Sequence, residues 1–128
     1  MDSISDMLTS IRNALAVGKE TVDISFSNFK FEILKILEKK GFINLATKKR
    51  KNKKRVIEII LKYKDGNAVI SGLKKISKPG QRIYKGWREI KPVKNGYGIA
   101  IISTSQGLMT DIEAKKKKLG GEVICEIW

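Results

Sequence analysis

Three consecutive hydroxyl side chains, Ser103, Thr104 and Ser105, end an apolar segment in the stretch ISTSQGLMTD. Side chains of this type can act as a nucleophile, cap a turn, or offer hydrogen-bond donors and acceptors to a ligand. A hydroxyl nucleophile needs a base within reach to remove its proton. The chain has no histidine, and no Ser-x-x-Lys pattern surrounds these residues. The sequence therefore argues against an enzyme and leaves the turn and the binding surface open.

Metal and cofactor chemistry find no support in the sequence. Cys125 is the single cysteine, which excludes an internal disulfide and a zinc finger. The glycines in GQRIYKG lack the spacing of a P-loop, and those in GYGIAI precede a predicted strand instead of following one. We therefore expect no metal and no cofactor.

Basic residues dominate the charge of the chain. Lys and Arg number 27 against 13 Asp and Glu, which gives a formal net charge of +14. A field of this size on a small protein favours polyanions such as nucleic acid. Seven of the eight residues at 48–55 are basic, and four lysines follow one another at 115–118. Each run can contact phosphates or simply keep an exposed edge solvated, and both interpretations stay open.

Aromatic side chains accompany basic ones in the stretch SKPGQRIYKGW. Its cations are Lys78, Arg82 and Lys85. Tyr84 and Trp87 are able to stack on bases, a combination typical of proteins that bind single-stranded or bulged RNA. A small core is the favoured place for Trp87. Beside this stretch the three hydroxyls fit a turn facing RNA, with Gly107 allowing close backbone approach, although a turn capped by its own hydroxyls fits equally well.

The periodicity of apolar residues predicts the elements that must position these side chains. An α-β-α-β-β order is expected up to about Tyr63, followed by a β-rich part with short helices. YGIAIIS predicts a central strand, and Thr110 with Glu113 predicts the start of a helix. The fold class is therefore α+β, and we expect two modules, residues 1–64 and 65–128, the second binding RNA.

Location follows from what the chain lacks. No apolar run approaches the roughly 20 residues of a membrane helix. The first residues, MDSISDMLTS, are acidic and lack the basic start of a signal peptide. We expect an intracellular, reducing compartment and no membrane partner.

The stretches KISKPGQRIYKGW, NGYGIAIISTSQGLMTD and LGGEVICEIW together resemble one family. The chain is identified as similar to the bacterial form of the eighth ribosomal protein of the small subunit. The resemblance is collinear over nearly the whole chain, because ISDMLTSIRNAL and FKFEILKILEKKGFI match the first half. The STSxGxMTD block is specific to this family.

The resemblance implies a cytoplasmic, non-catalytic constituent of the small ribosomal subunit that binds an irregular helix in the central domain of its rRNA early in assembly. It implies neighbouring small-subunit proteins as partners, the fifth among them, and allows binding to the operon's own mRNA. Contacts from the second helix would fall near Asn28 and Lys30, and the GGE segment would add Gly120, Gly121 and Glu122. The patterns and the resemblance together nominate for RNA contact Ser103, Thr104, Ser105, Gly107, Tyr84, Lys85, Arg82, Lys78, Gly121, Glu122, Asn28, Lys30, Lys53 and Arg55.

Three positions depart from this family or call for comment. The hairpin at 48–55 is far more basic than is usual in the family. Ile112 stands where the family has an arginine after the MTD motif, which puts a contact from that position in doubt. Cys125 falls close to the RNA side, although a buried structural thiol is favoured. The alternative function is a free-standing RNA-binding regulator or chaperone that uses the same surface.

Overall fold

The computed structural model describes residues 3–128 and divides them into two units, Ser3–Ser71 and Gly72–Trp128, which we call the N-terminal and C-terminal units. Each combines helices with antiparallel sheet, which confirms the predicted α+β class. A division between residues 64 and 65 would cut a short hairpin at 63–68, and that domain boundary stays a prediction.

The N-terminal unit carries two helices and a three-stranded sheet of order β1-β3-β2. A two-stranded hairpin, β4-β5, follows the sheet. The elements are α1 (Ser3–Ala16), β1 (Thr21–Ser25), α2 (Asn28–Lys39), β2 (Ile43–Lys51), β3 (Lys54–Leu61), β4 (Tyr63–Lys64) and β5 (Asn67–Ala68). The predicted α-β-α-β-β order is thus confirmed.

Both helices of the N-terminal unit form because apolar residues recur at helical spacing and bury one stripe. In α1 the buried members include Ile4, Met7, Leu8 and Ile11. In α2, Ser27 is the N-cap, and its hydroxyl accepts the N–H of Lys30 at 3.1 Å.

A two-residue turn joins β2 to β3. Asn52 and Lys53 both have positive φ, 50° and 64°, as a type I′ hairpin turn requires. The two strands pair in register from Ala46 opposite Ile59 to Lys51 opposite Lys54. Because opposed side chains share one face of an antiparallel pair, this register decides which hairpin cations lie together.

The C-terminal unit is built on a sheet of order β6-β10-β8-β9, with β7 also pairing β10. A helix and two short 3-10 segments, Trp87–Glu89 and Val93–Gly96, complete the unit. The elements are β6 (Leu73–Lys75), β7 (Tyr84–Lys85), β8 (Ile99–Thr104), β9 (Gly107–Thr110), α3 (Asp111–Lys116) and β10 (Gly121–Ile127). The apolar strand β8 lies between β10 and β9, which confirms its predicted central place.

Helix α3 begins at the predicted position. The Thr110 hydroxyl accepts the N–H of Glu113 at 3.3 Å and donates to the Glu113 carboxylate at 3.1 Å. Behind the sheet a core cluster contains Ile90, Val93, Ala100, Ile102, Met109, Ala114 and Val123. Ala100 and Ile102 of β8 belong to this core and anchor the strand that ends with Ser103 and Thr104.

Candidate nucleic-acid interface

The start of β10 brings residues from three strands side by side. Glu122 pairs with Tyr84 of β7 on one side and with Ser103 of β8 on the other. Directly opposed side chains in antiparallel strands point to the same face. Three residues that are separated by up to 38 positions in sequence therefore form one row across the sheet. We call this row, with the adjoining hairpin residues 104–107, the β10 row.

Glycines are required where β10 begins, because neighbouring backbone passes very close. A Cβ atom added to Gly121 would overlap the carbonyl oxygen of Ser103, and one added to Gly120 would lie 2.6 Å from the carbonyl oxygen of Lys85. The GGE segment thus has a structural reason for its glycines. It lets β7 and β8 approach β10 and sets Tyr84 and Ser103 beside Glu122.

The structure corrects the predicted Ser-Thr-Ser turn. Ser103 and Thr104 are the last residues of β8, and the loop to β9 consists of Ser105 and Gln106. Gly107 has a φ of +104° and open space around its Cβ position. Its glycine is explained by this backbone conformation, with no need to invoke close approach of a ligand.

Thr104 has a structural role within this hairpin. Its hydroxyl accepts the N–H of Gln106 at 3.1 Å and donates to the carbonyl of Gly107 at 2.8 Å. The alternative of a turn capped by its own hydroxyl is therefore realised at Thr104. The hydroxyls of Ser103 and Ser105 have no hydrogen-bond partner within residues 3–128. Ser105 is exposed, whereas Ser103 is half-buried.

Arg82 and Tyr84 flank Glu122 at the surface. Arg82 Nη1 donates to Glu122 Oε2 at 3.2 Å, which offsets the negative charge of a carboxylate that would otherwise repel phosphates. The Tyr84 ring is 69% exposed, so its face is accessible to a planar ligand. Lys85, opposite Gly121, is also exposed.

The loop before Tyr84 is ordered by Ser77, a residue that the sequence analysis missed. Ser77 is fully buried, and its hydroxyl accepts the N–H of Ile83 at 2.9 Å and donates to the carbonyl of the same residue at 3.3 Å. Lys78 and Gln81 then bridge across the loop. A serine before KPG is the only sequence signal for this role. Gln106, exposed beside Ser105, is a second polar side chain that was missed.

Trp87 and two of the lysines at 115–118 serve the C-terminal unit itself. Trp87 packs against the core cluster, as expected. Lys115 Nζ donates to the carbonyl of Ile90 at 2.8 Å, and Lys118 Nζ lies 5.8 Å from the centroid of the Trp87 ring. The structure thus gives this run a structural part, while Lys116 and Lys117 remain exposed.

The N-terminal unit holds the other four nominated residues. Asn28, Lys53 and Arg55 are exposed. Lys30 is only 4% exposed, and its Nζ donates to Ser25 Oγ at 2.8 Å. Burial lowers the pKa of Lys30, with Asp6 opposing the shift. The structure therefore does not present the Lys30 ammonium group to a partner, contrary to the expectation of a contact there.

Cys125 lies in the core and Ile112 lies at the surface. Cys125 is fully buried, and burial raises the pKa of its thiol to about 12. It is therefore an unreactive core residue at neutral pH. Ile112, where an arginine was expected, is 63% exposed on α3, so an arginine at this position would reach solvent.

Within residues 3–128, no group of three or more His, Cys, Asp or Glu side chains is arranged to hold a metal ion. No helix in that range has the length and apolar character needed to span a bilayer.

Comparison with known proteins gives the family. The family model described as Ribosomal protein S8 matches residues 2–128. The chain belongs to the ribosomal protein S8 family. Three relatives are each named small ribosomal subunit protein uS8. The proteins of Clostridioides difficile and Thermodesulfovibrio yellowstonii are each 52% identical over 128 residues, and that of Petrotoga mobilis is 50% identical over 131 residues. Each alignment covers 99% of this chain and 97–98% of the relative. Family membership agrees with the resemblance drawn from the STSxGxMTD block.

Proposed function

We propose that this protein is a structural constituent of the small ribosomal subunit that binds the central domain of small-subunit rRNA directly. The observation that carries the proposal is the β10 row, in which Tyr84, Glu122 and Ser103 share one face of the sheet. The names of its relatives support the assignment to the small subunit.

The β10 row and three cations near it in sequence together offer three kinds of contact to an irregular RNA helix. The exposed Tyr84 ring stacks on an unpaired base, an interaction worth about 1–3 kcal/mol. The hydroxyls of Ser103 and Ser105 exchange hydrogen bonds with base edges or ribose 2′-hydroxyls. Cations at Lys78, Arg82 and Lys85 contact phosphates and fix the orientation of the RNA. Specificity comes from the fixed spacing of these groups, which the sheet register sets.

Glu122 adds a hydrogen-bond acceptor to this surface. Arg82 binds one of its carboxylate oxygens, so the second oxygen is left to accept from an exocyclic amino group or a 2′-hydroxyl. We propose that this protein performs no chemistry on the RNA. Its effect on assembly is to hold a distorted helix in one conformation.

We expect the protein to act in cytoplasmic ribosomes, next to other small-subunit proteins with the fifth among them. Binding to its own operon mRNA would use the same β10 row, because one surface would recognise a similar RNA fold.

Quantitative co-sedimentation tests the proposal. A ribosomal constituent should be nearly stoichiometric with small subunits after a high-salt wash. A free-standing regulator or chaperone would instead be far below stoichiometry and would leave the particles on washing. The latter result would overturn the assignment as a constituent.

A further inference from the structure

We infer that the β2-β3 hairpin binds RNA phosphates through one of its two faces only, the face on the core side of the sheet. This inference rests on the proposed function, since RNA is its ligand. It concerns a surface of the N-terminal unit that differs from the β10 row. The hairpin's six strand cations divide into two sets of three. The core-side set is Lys48, Arg50 and Arg55, and the solvent-side set is Lys49, Lys51 and Lys54.

The register assigns each cation to its face. Lys48 pairs with the fully buried Ile57, so its side chain leaves the sheet on the core side, and Arg50 pairs with Arg55 on that same side. Lys49 alternates with Lys48, and Lys51 pairs with Lys54, which places these three on the opposite face. Alternation therefore splits a sequence run that looks uniform.

Carboxylates compensate the solvent-side set. Lys49 Nζ lies 2.8 Å from Glu58 Oε1, and Lys51 Nζ lies 2.8 Å from Asp23 Oδ2 and 3.1 Å from Glu58 Oε2. Hydrogen bonds from Lys49 and Lys51 lower the pKa of Glu58. Two of the three cations on this face are thus already paired, and a phosphate would have to displace a carboxylate to reach them.

Aromatic rings order the core-side set instead. The Arg55 guanidinium lies 4.1 Å from the centroid of Phe26, and Lys48 Nζ lies 4.9 Å from that of Phe31 and 5.5 Å from that of Phe26. Within residues 3–128 no carboxylate forms an ion pair with Lys48, Arg50 or Arg55. A ring face attracts a cation without neutralising it.

These features fit the sugar-phosphate backbone of RNA. No carboxylate of residues 3–128 pairs with the three cations, and two of them have restricted positions, so binding a polyanion costs little ordering and breaks no ion pair. Lys48 and Arg50 are two residues apart on one strand, so their Cα atoms are separated by about 6.7 Å. This distance is close to the spacing of successive phosphates. Because cations already lie over both rings, stacking of bases is not expected here. The surface should add affinity without sequence preference.

A matched pair of triple variants of the full-length protein tests this inference. K48Q/R50Q/R55Q and K49Q/K51Q/K54Q each lower the formal net charge from +14 to +11, since three charges are removed in both. Binding to an unrelated RNA duplex is measured over a range of salt concentrations. The core-side variant should weaken binding at least about tenfold and reduce the salt slope by roughly 2–3, near 0.9 per contact. The solvent-side variant should reduce the slope by less than about one.

Thermal unfolding of both variants shows whether a loss of RNA binding is caused by a loss of folding. If the core-side triple variant unfolds, R50Q against K51Q repeats the comparison, because Arg50 contacts neither ring. Equal losses for the two variants would overturn the inference. Binding of the unaltered protein to anionic lipid vesicles in preference to RNA would also overturn it. The proposed function would still stand if Y84A weakened binding to small-subunit rRNA. No RNA binding by the unaltered protein would overturn both.

Discussion

The β10 row and the core-side face of the β2-β3 hairpin both suit RNA, but they are built in different ways. The row joins Tyr84, Glu122 and Ser103 from three strands and contains an aromatic ring, a carboxylate and a hydroxyl. The hairpin face takes its three cations from two adjacent strands and holds two of them over phenylalanine rings. One surface presents varied chemical groups at fixed spacing, and the other presents positive charge only.

This difference separates recognition from affinity. Hydrogen bonds and stacking at the row depend on the identity and position of RNA groups. Phosphate contacts at the hairpin depend mainly on ionic strength. Changes to the row should therefore alter the preference for cognate RNA, whereas changes to the hairpin should alter binding to every RNA.

The largest effect is expected from G121A. The added methyl group would overlap the carbonyl oxygen of Ser103, so β8 and β10 must separate. We expect a loss of several kcal/mol in the free energy of unfolding, more than the 1–3 kcal/mol typical of overpacking, together with loss of cognate binding. G80A is the matched control, because nothing lies within 4 Å of its added Cβ. Chemical denaturation of both variants is the measurement, and equal stability would contradict the close packing described here.

The second prediction concerns the exposed ring of the β10 row. Y84A should weaken binding to the cognate rRNA helix about tenfold to a hundredfold, because one base loses its stacking partner. Binding to unrelated duplex and the melting temperature should change little. Y97A removes another exposed tyrosine, 86% accessible, and serves as the control. If the two variants lost the same affinity, Tyr84 would not be a recognition residue.

A third prediction separates two adjacent hydroxyls. S105A should weaken cognate binding by about tenfold, since each hydrogen bond lost at a desolvated interface costs on the order of 1–3 kcal/mol. T104A should instead lower the free energy of unfolding by about 1–2 kcal/mol, because two turn hydrogen bonds disappear. Affinity and thermal unfolding are measured on the same preparations. The reverse pattern would make Ser105 structural and Thr104 the contact.

Much of this arrangement could be predicted from the sequence because local patterns determine it. The apolar run of β8 and the Thr110 cap each follow from residues within a few positions of one another. The resemblance carried by the motif STSxGxMTD also pointed to the region of the β8-β9 hairpin, where the three hydroxyls lie.

Features that depend on pairing between distant residues could not be predicted. Thr104 and Ser105 could not be told apart from the sequence, because their difference arises where β8 ends and the turn begins. The burial of the Lys30 ammonium group could not be predicted, because it results from packing against Ser25. The division of the cations at 48–55 between two faces could not be predicted either, because it follows from the β2-β3 register.

The smallest effect is expected at the tip of the basic hairpin. Lys53 has a φ of 64°, a conformation that costs a non-glycine residue about 1–2 kcal/mol. K53G should therefore raise the free energy of unfolding by up to about 1 kcal/mol, since part of the gain is lost to unfolded-chain entropy. K53A removes the same charge without relieving the conformation and should not stabilise. The measurement is the denaturant concentration at the midpoint of unfolding for K53G and K53A. Equal midpoints for the two variants would contradict the turn assignment.

Hydroxyl-radical footprinting of the purified protein on its own small-subunit rRNA tests whether the β10 row recognises this RNA. We expect protection of one short irregular helix in the central domain. In Y84A and S105A this protection should need at least about tenfold more protein while binding to unrelated duplex is unchanged, whereas in K48Q/R50Q/R55Q both should need more protein. Protection scattered over the rRNA, or a central-domain footprint unchanged by Y84A and S105A, would show that the β10 row does not recognise this RNA.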